Sequence, residues 1–308
     1  MAKVFLYSDE SGSKGYADRG EAYPGEVGVF AGILVPESEI GKVKPAFDSI
    51  AQKYAPSSGK LHIADLDTDQ QQALREELYA AIRQYWLPCF WYAIHVEGFH
   101  QFHMDQQLAL QQSAAAIKAA RGDAEPRVKR GSPRVDVPSM HVALFSGLYS
   151  HLVAFLLERK QNRVDVEIRT DQVDTPIVKQ FEQVAKELLN DDPEVIKTKG
   201  FDTLTKQVVK GSITTSVQWP DELKISPVVK GLSIETVPDS DGLVLAADVL
   251  ANSLLYLFKN RDAVELYAPL NRQTAIASHP LAQRLDAFYN WGSDDLVGDR
   301  LYRHPLAK

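Results

Sequence analysis

Three acidic residues stand where apolar elements have no structural use for them. The stretch "KVFLYSDESG" reads as a short strand of Val4, Phe5, Leu6 and Tyr7 that runs into Asp9 and Glu10 before a Ser-Gly turn. "VDVEIRTD" puts Asp171 at the carboxyl end of a second strand, and "LAADVLAN" sets Asp248 among apolar neighbours in a helix. A buried carboxylate is costly unless something positive or a hydrogen-bond donor meets it. In a sheet whose first and fourth strands are adjacent and parallel, Asp9 and Asp171 emerge side by side at one edge, and a helix packed across that edge can add Asp248. Carboxylates converging in a partly buried cleft repel one another, so either some are protonated or a divalent cation neutralises them. Hard oxygen ligands of this kind suit Mg2+ or Mn2+. Plainer readings stand beside this one: Asp171 as turn chemistry after a strand, and Asp248 as the partner of an arginine.

Glu10 follows Asp9 directly, so strand alternation points it to the other side of the sheet. There it can support the site from behind or pair with Lys14 or Arg19. His62, in "GKLHIADL", has the chemistry to protonate a leaving group or orient a water beside a phosphate, and equally reads as an ordinary histidine of a loop or helix start. His95, His100 and His103 in "HVEGFHQFH" lack an accompanying cysteine and are loosely spaced, which favours structural roles over zinc. Asp174, Asp239 and Asp241 read as turn or N-cap residues. No Gly-x-Ser-x-Gly elbow, Walker phosphate loop, dinucleotide fingerprint or His-Glu-x-x-His motif is present.

The elements that must position these residues alternate between strand and helix. "KVFLYSD" and "GVFAGILVP" read as neighbouring antiparallel strands across a Gly-rich polar loop, and "CFWYAIHVEG" as a third strand. "ESEIGKVKPAFDSIAQKYA" and "DTDQQQALREELYAAIRQYW" carry helical spacing, the second with Asp67, Thr68 or Asp69 to cap it. From about Ser139 to Arg159 the chain is apolar over most of a helix circumference, which predicts a largely buried helix. "RVDVEIRTDQVDTPIVKQF" reads as strand, turn and a helix with Pro176 at its first position. Residues 199–237 hold several β-prone pieces, expected as a hairpin plus one further sheet strand. "DGLVLAADVLANSLLYLFK" is a strongly apolar helix, followed by a looser helical tail around Leu281 to Tyr289.

Composition bounds the rest. With 308 residues, 44% hydrophobic content and a net charge of −7, the chain can bury a sizeable core and has no general attraction for polyanions. We expect a single domain over residues 1–308, interrupted by insertions at about 98–138 and about 199–230. The N-terminus has no apolar stretch of signal-peptide length, and no run reaches the roughly 18 apolar residues of a membrane span, so the expectation is a cytoplasmic protein with no membrane partner. The single cysteine, Cys89, reads as a small packed hydrophobe. "KAARGDAEPRVKRGSPR", residues 118–134, concentrates Lys118, Arg121, Arg127, Lys129, Arg130 and Arg134 between Gly and Pro residues. It reads as an exposed insertion, either a solvated loop or a basic arm that contacts phosphates.

The order of strand, acid, Ser/Gly turn, Gly-rich loop and "GVFAGILV" resembles the start of ribonuclease H-like domains. "VDVEIRTD" is similar to their fourth strand with its terminal aspartate, and "LAADVLANSL" to their last carboxylate-bearing helix. More narrowly, "YSDESGS" with "KLHIADL" and a late Ala-Asp helix resembles a bacterial and phage family of unknown function marked by an N-terminal Asp-Glu-Ser-Gly. The resemblance implies an α/β fold with a mixed five-stranded sheet, its first three strands antiparallel and the next parallel, with helices on both faces. It also implies a Mg2+- or Mn2+-dependent nuclease hydrolysing DNA or RNA in bacterial defence or mobile-element biology. In it Asp9 would bridge two metals while Asp171 and Asp248 complete one site each, with Glu10 and His62 as further catalytic candidates. Ribonuclease H also takes a glutamate from the helix before its fourth strand, and "HVALFSGLYSHLVAFLLE" offers none in its first four turns. Lys60 stands where the narrower family often has an acid. These departures support an alternative, a weakly active or inactive binding or regulatory subunit with a protein partner in a defence-type complex.

Overall fold

The computed structural model describes residues 3–56, 61, 63–122, 126–129, 131, 134–171, 174–190, 192–216, 225, 227–237, 240–285 and 301–307. In chain order the elements are β1 (Lys3–Gly12), β2 (Val27–Pro36), α1 (Glu37–Tyr54), α2 (Thr68–Gln84), β3 (Cys89–His95), α3 (Val96–Arg121) and β4 (Val128–Lys129). Then follow α4 (Met140–Glu158), β5 (Val164–Thr170), α5 (Thr175–Leu188), β6 (Glu194–Asp202), β7 (Gln207–Thr215), β8 (Val229–Thr236), α6 (Gly242–Lys259) and α7 (Ala282–Leu285).

Five strands form a mixed sheet in the order β3-β2-β1-β5-β8. β1 is central, antiparallel to β2 and parallel to β5. The outer pairs repeat those senses, β2 with β3 antiparallel and β5 with β8 parallel. β1 is apolar on consecutive residues because both its sides are covered. Phe5 and Tyr7 join the layer of Phe47, Leu78 and Leu250, from α1, α2 and α6. Val4 and Leu6 join the opposite layer of Leu144, Leu148 and Phe181, from α4 and α5. The sheet therefore has helices on both faces.

α4 and α6 are apolar nearly all round because each is a core helix of this sandwich. By length and composition alone both could cross a membrane, and both are mostly buried within the fold. α4 packs so closely on β3 that a Cβ at Gly147 would sit 2.2 Å from the Tyr92 ring. The caps follow the sequence. Asp67 and Gln70 form a reciprocal capping box on α2. Asp241 caps α6 by accepting from the backbone of Leu243 at 3.0 Å and Val244 at 3.4 Å. Pro176 sits one position further into α5 than expected, since the helix starts at Thr175. Cys89 is buried, and that burial pushes its thiol up to about 12.

Two expectations need correction. The basic stretch 118–134 is not loop throughout: its start is the last turn of α3, and Val128–Lys129 forms β4. β4 pairs with β6, and β6 with β7, in a separate three-stranded sheet, so the two segments expected as insertions build one unit together. The hairpin is formed by β6 and β7, so its first strand, Glu194–Asp202, precedes "SITTSVQW" and "LKISPVV", the first of the β-prone pieces expected there. The expected strand after it is β8. Of the helical tail near 281–289, Ala282–Leu285 is observed and the remainder lies outside the described residues.

The glycine of Asp-Glu-Ser-Gly has a backbone reason. Gly12 adopts φ +83°, and a Cβ there would meet the Val27 carbonyl oxygen at 2.5 Å and Leu255 of α6 at 2.8 Å. Gly12→Ala is therefore expected to destabilise the fold by about 1–3 kcal/mol. Gly15, whose nearest foreign atom would be 3.7 Å away, is the control: Gly15→Ala should stay within about 0.5 kcal/mol in the same urea titration.

Candidate functional site

The β1–β5 register runs from Lys3 opposite Asp165 to Ser8 opposite Thr170. One step further along both strands lie Asp9 and Asp171. Asp9 shares the face of Phe5 and Tyr7, and its cross-strand partner Ala31 belongs to the same layer as α6. On β5, Arg169 occupies that face, its guanidinium 4.4 Å from the centre of the Phe5 ring. The Val237 amide still donates to the Thr170 carbonyl at 3.1 Å, so strand pairing persists to the end of β5, and Asp171 follows it in a bend. Asp9 does not end its strand as expected: β1 continues through Ser11 and Gly12, paired with Val29 and Gly28. Asp9 is buried, and its Oδ1 accepts the Glu10 amide at 2.8 Å.

α6 lies on this face and runs the same way as β1. Asp241 at its start acts on the Tyr7 phenol, while Leu255 in its last turns packs over Gly12. From Tyr7 to Gly12 the strand advances about 17 Å, and from Asp241 to Leu255 the helix advances about 21 Å. Asp241, Asp248 and Leu255 are spaced by seven residues, so they form one stripe down the helix. Asp248 is midway along it, at the level of Asp9. Within residues 241–251 every position is buried except Asp248, which is half-buried.

The cations of this layer are held near the start of the stripe. Lys44 bonds Asp48 at 2.8 Å and Asp241 at 3.1 Å. Arg169 donates to Glu167 at 2.6 Å and to the Tyr7 hydroxyl at 2.7 Å. Burial pushes Tyr7 up to about 12, against the opposing pull of Arg169.

Glu10 is not part of this group. It faces α4, opposite Phe30 in the register, with the His141 Nε2 at 3.4 Å and the Lys14 ammonium in direct contact. The 13–17 loop holds α4 in place: the Met140 amide donates to the Gly15 carbonyl at 2.8 Å, and Ala17 to Pro138 at 3.1 Å. Beside this pair, Ser8 Oγ and Thr170 Oγ1 are buried opposite one another without a hydrogen-bond partner among the described residues. Sequence reasoning missed His141, although a lone histidine in the first turn of an apolar helix was the available signal. Burial pushes the Glu10 carboxyl up, but His141 and Lys14 outweigh it and hold the group at about 2.

His62 lies outside the described residues, as do the side chains of Arg121 and Arg130. Lys118 and Arg134 are exposed, Lys129 is on β4, and Arg127 pairs with Asp202 at 3.0 Å. His95 meets the Ala268 carbonyl at 3.2 Å and His100 the Ala17 carbonyl at 2.8 Å, which gives both structural roles.

Among the described residues, no group of three or more His, Cys, Asp or Glu side chains is gathered closely enough to hold a metal ion. Mg2+ needs no such cage: it commonly takes one or two carboxylates and completes its shell with water and substrate phosphate oxygens. Asp9 within β1 and Asp171 one residue past the neighbouring β5 fit that requirement. No protein-family model matches the chain, and no curated protein matches it.

The Glu10 pairing sets a pH signature. Its folded pKa of about 2 lies below the ordinary 4.5, so its contribution to stability is complete above 4.5 and is lost as pH falls through about 2. Glu10→Gln is expected to destabilise the protein at neutral pH, with the difference from the parent shrinking as pH drops from 4.5 towards 2 in a series of denaturant titrations. A difference that stays constant with pH would contradict the pairing.

Proposed function

We propose that this chain is a divalent-metal-dependent nuclease of ribonuclease H-like fold, hydrolysing phosphodiester bonds in DNA or RNA. The observation that carries the reading is the parallel pairing of β1 with β5, whose register ends at Ser8 opposite Thr170, so that Asp9 and Asp171 each follow by one residue. The strand order, with the aspartate-bearing first strand at the centre and the fourth sheet strand beside it, supports the finer fold assignment.

Asp9 and Asp171 would hold the cation, with Asp248 reaching the same edge from α6. When bound, Mg2+ or Mn2+ supplies charge neutralisation and Lewis-acid polarisation of the scissile phosphate. The chain's own residues give the edge its rigidity. Gly12 ends β1 under Leu255, Arg169 ties Tyr7 to Glu167 across the strand pair, and Glu10 with His141 fixes the reverse side. His62 is the candidate for moving a proton to the leaving oxygen.

One observation favours a second reading, a binding or regulatory subunit that has lost full catalysis. α4, the helix before β5, carries no glutamate in its first four turns, where the resembling fold takes one. The two readings separate in one experiment. Single-stranded and duplex DNA and RNA are incubated with the protein over a titration of Mg2+ and Mn2+, beside Asp9→Asn and Asp171→Asn. The nuclease reading expects cleavage that needs the metal and is abolished in both variants. Intact nucleic acid under every condition, together with a protein partner that stabilises the chain, would establish the second reading instead.

A further inference from the structure

The sheet of β4, β6 and β7 carries a charge pattern that costs stability at the opposed pair Lys199 and Lys210. In the β6–β7 register Lys199 stands directly opposite Lys210, Lys197 opposite Ser212, and Phe201 opposite Val208. Lys129 of β4 stands opposite Phe201. Directly opposed residues of antiparallel strands project to the same side, so Lys129, Lys197, Lys199, Lys210, Phe201 and Val208 share one face. The Cβ atoms of the opposed Lys199 and Lys210 lie about 5 Å apart across the strands, a spacing at which two like charges destabilise the pair. The carboxylates of these two strands, Glu194 and Asp202, alternate onto the other face, and Asp202 is taken up there by Arg127 at 3.0 Å. Lys197, Lys199 and Lys210 are all exposed. Phe201 and Val208 are 43% and 65% exposed in the middle of this cationic field.

A lysine pair opposed across two strands is relieved by an anion lying over both. An exposed aromatic ring between lysines adds a flat surface for an unpaired base, which stacks without regard to sequence. Because the chain as a whole carries −7, such a face is a local exception built against the global charge. We infer that this face of the β4–β6–β7 sheet is a docking surface for single-stranded nucleic acid, its lysines on the phosphates and Phe201 under a base. The inference rests on the nuclease reading for the identity of the substrate and names what grips it.

Binding is measured by fluorescence anisotropy of labelled oligo(dT) and oligo(U) in EDTA over a salt series, so that cleavage plays no part. The triple variant K197E/K199E/K210E is expected to bind at least about tenfold more weakly, with a salt slope shallower by about 2. F201A is expected to lose about tenfold with the slope retained. Unchanged melting temperatures show that both variants are folded. Unchanged affinity in both overturns the inference, as does a shift from dimer to monomer in the triple variant with nucleic-acid binding intact, which would make the face a contact between two copies. The Mn2+ cleavage assay is run in parallel. Cleavage with undiminished binding by the variants removes the docking surface and keeps the nuclease; binding lost in the variants without cleavage by any protein keeps the surface and removes the nuclease.

Discussion

Everything at the acidic edge depends on β1 and β5 lying side by side in the same direction. Parallel neighbours must be joined by a crossover, and here the crossover spans residues 13–163, carrying β2, β3, β4 and four helices before the chain returns. Because the β1–β5 register ends with Ser8 opposite Thr170, the next residue of each strand emerges at the same level, Asp9 still within β1 and Asp171 just past β5. Asp9 and Asp171 owe their proximity to this, and no loop has to be ordered to achieve it. The Arg169 bridge between Glu167 and Tyr7 fastens the two strands just before the point where the acids emerge.

β1 does two jobs by alternation. Its odd residues, Phe5, Tyr7 and Asp9, face α6, and its even residues, Val4, Leu6, Ser8 and Glu10, face α4. Adjacent acids therefore have opposite surroundings. Asp9 faces the α6 layer, while Glu10 meets His141 and Lys14, where it is neutralised. The Asp-Glu pair is one motif in sequence and two separate electrostatic environments in space. Its serine and glycine follow the same logic, with Gly12 required by a left-handed backbone pressed beneath Leu255.

Much of this was legible beforehand because it depends on period and punctuation. Alternating or continuous apolar runs located the strands, the apolar circumference marked α4 and α6 as core helices, and Asp67 and Asp241 announced their caps. Strand alternation also anticipated that Glu10 would part from Asp9. What the sequence hid was non-local. The pairing of Val128–Lys129 with β6 joins segments about seventy residues apart through backbone bonds, and nothing in a Pro- and Gly-punctuated basic stretch signals a two-residue strand. His141 is hidden for a related reason: its partner, Glu10, lies about 130 residues away in the chain, so no local pattern links the two.

The central position of β1 has a consequence for how the polypeptide assembles as it leaves the ribosome. β1 is made first, yet Arg169, which clasps Tyr7, follows it by 162 residues, and α6, which roofs the same face, comes later still. One flank of the nascent strand therefore waits unpaired until β5, which starts at Val164, has been made, with β2 pairing its other side. Such long-range closure is slow by nature, and it makes the newborn N-terminal half the segment most in need of chaperone shielding.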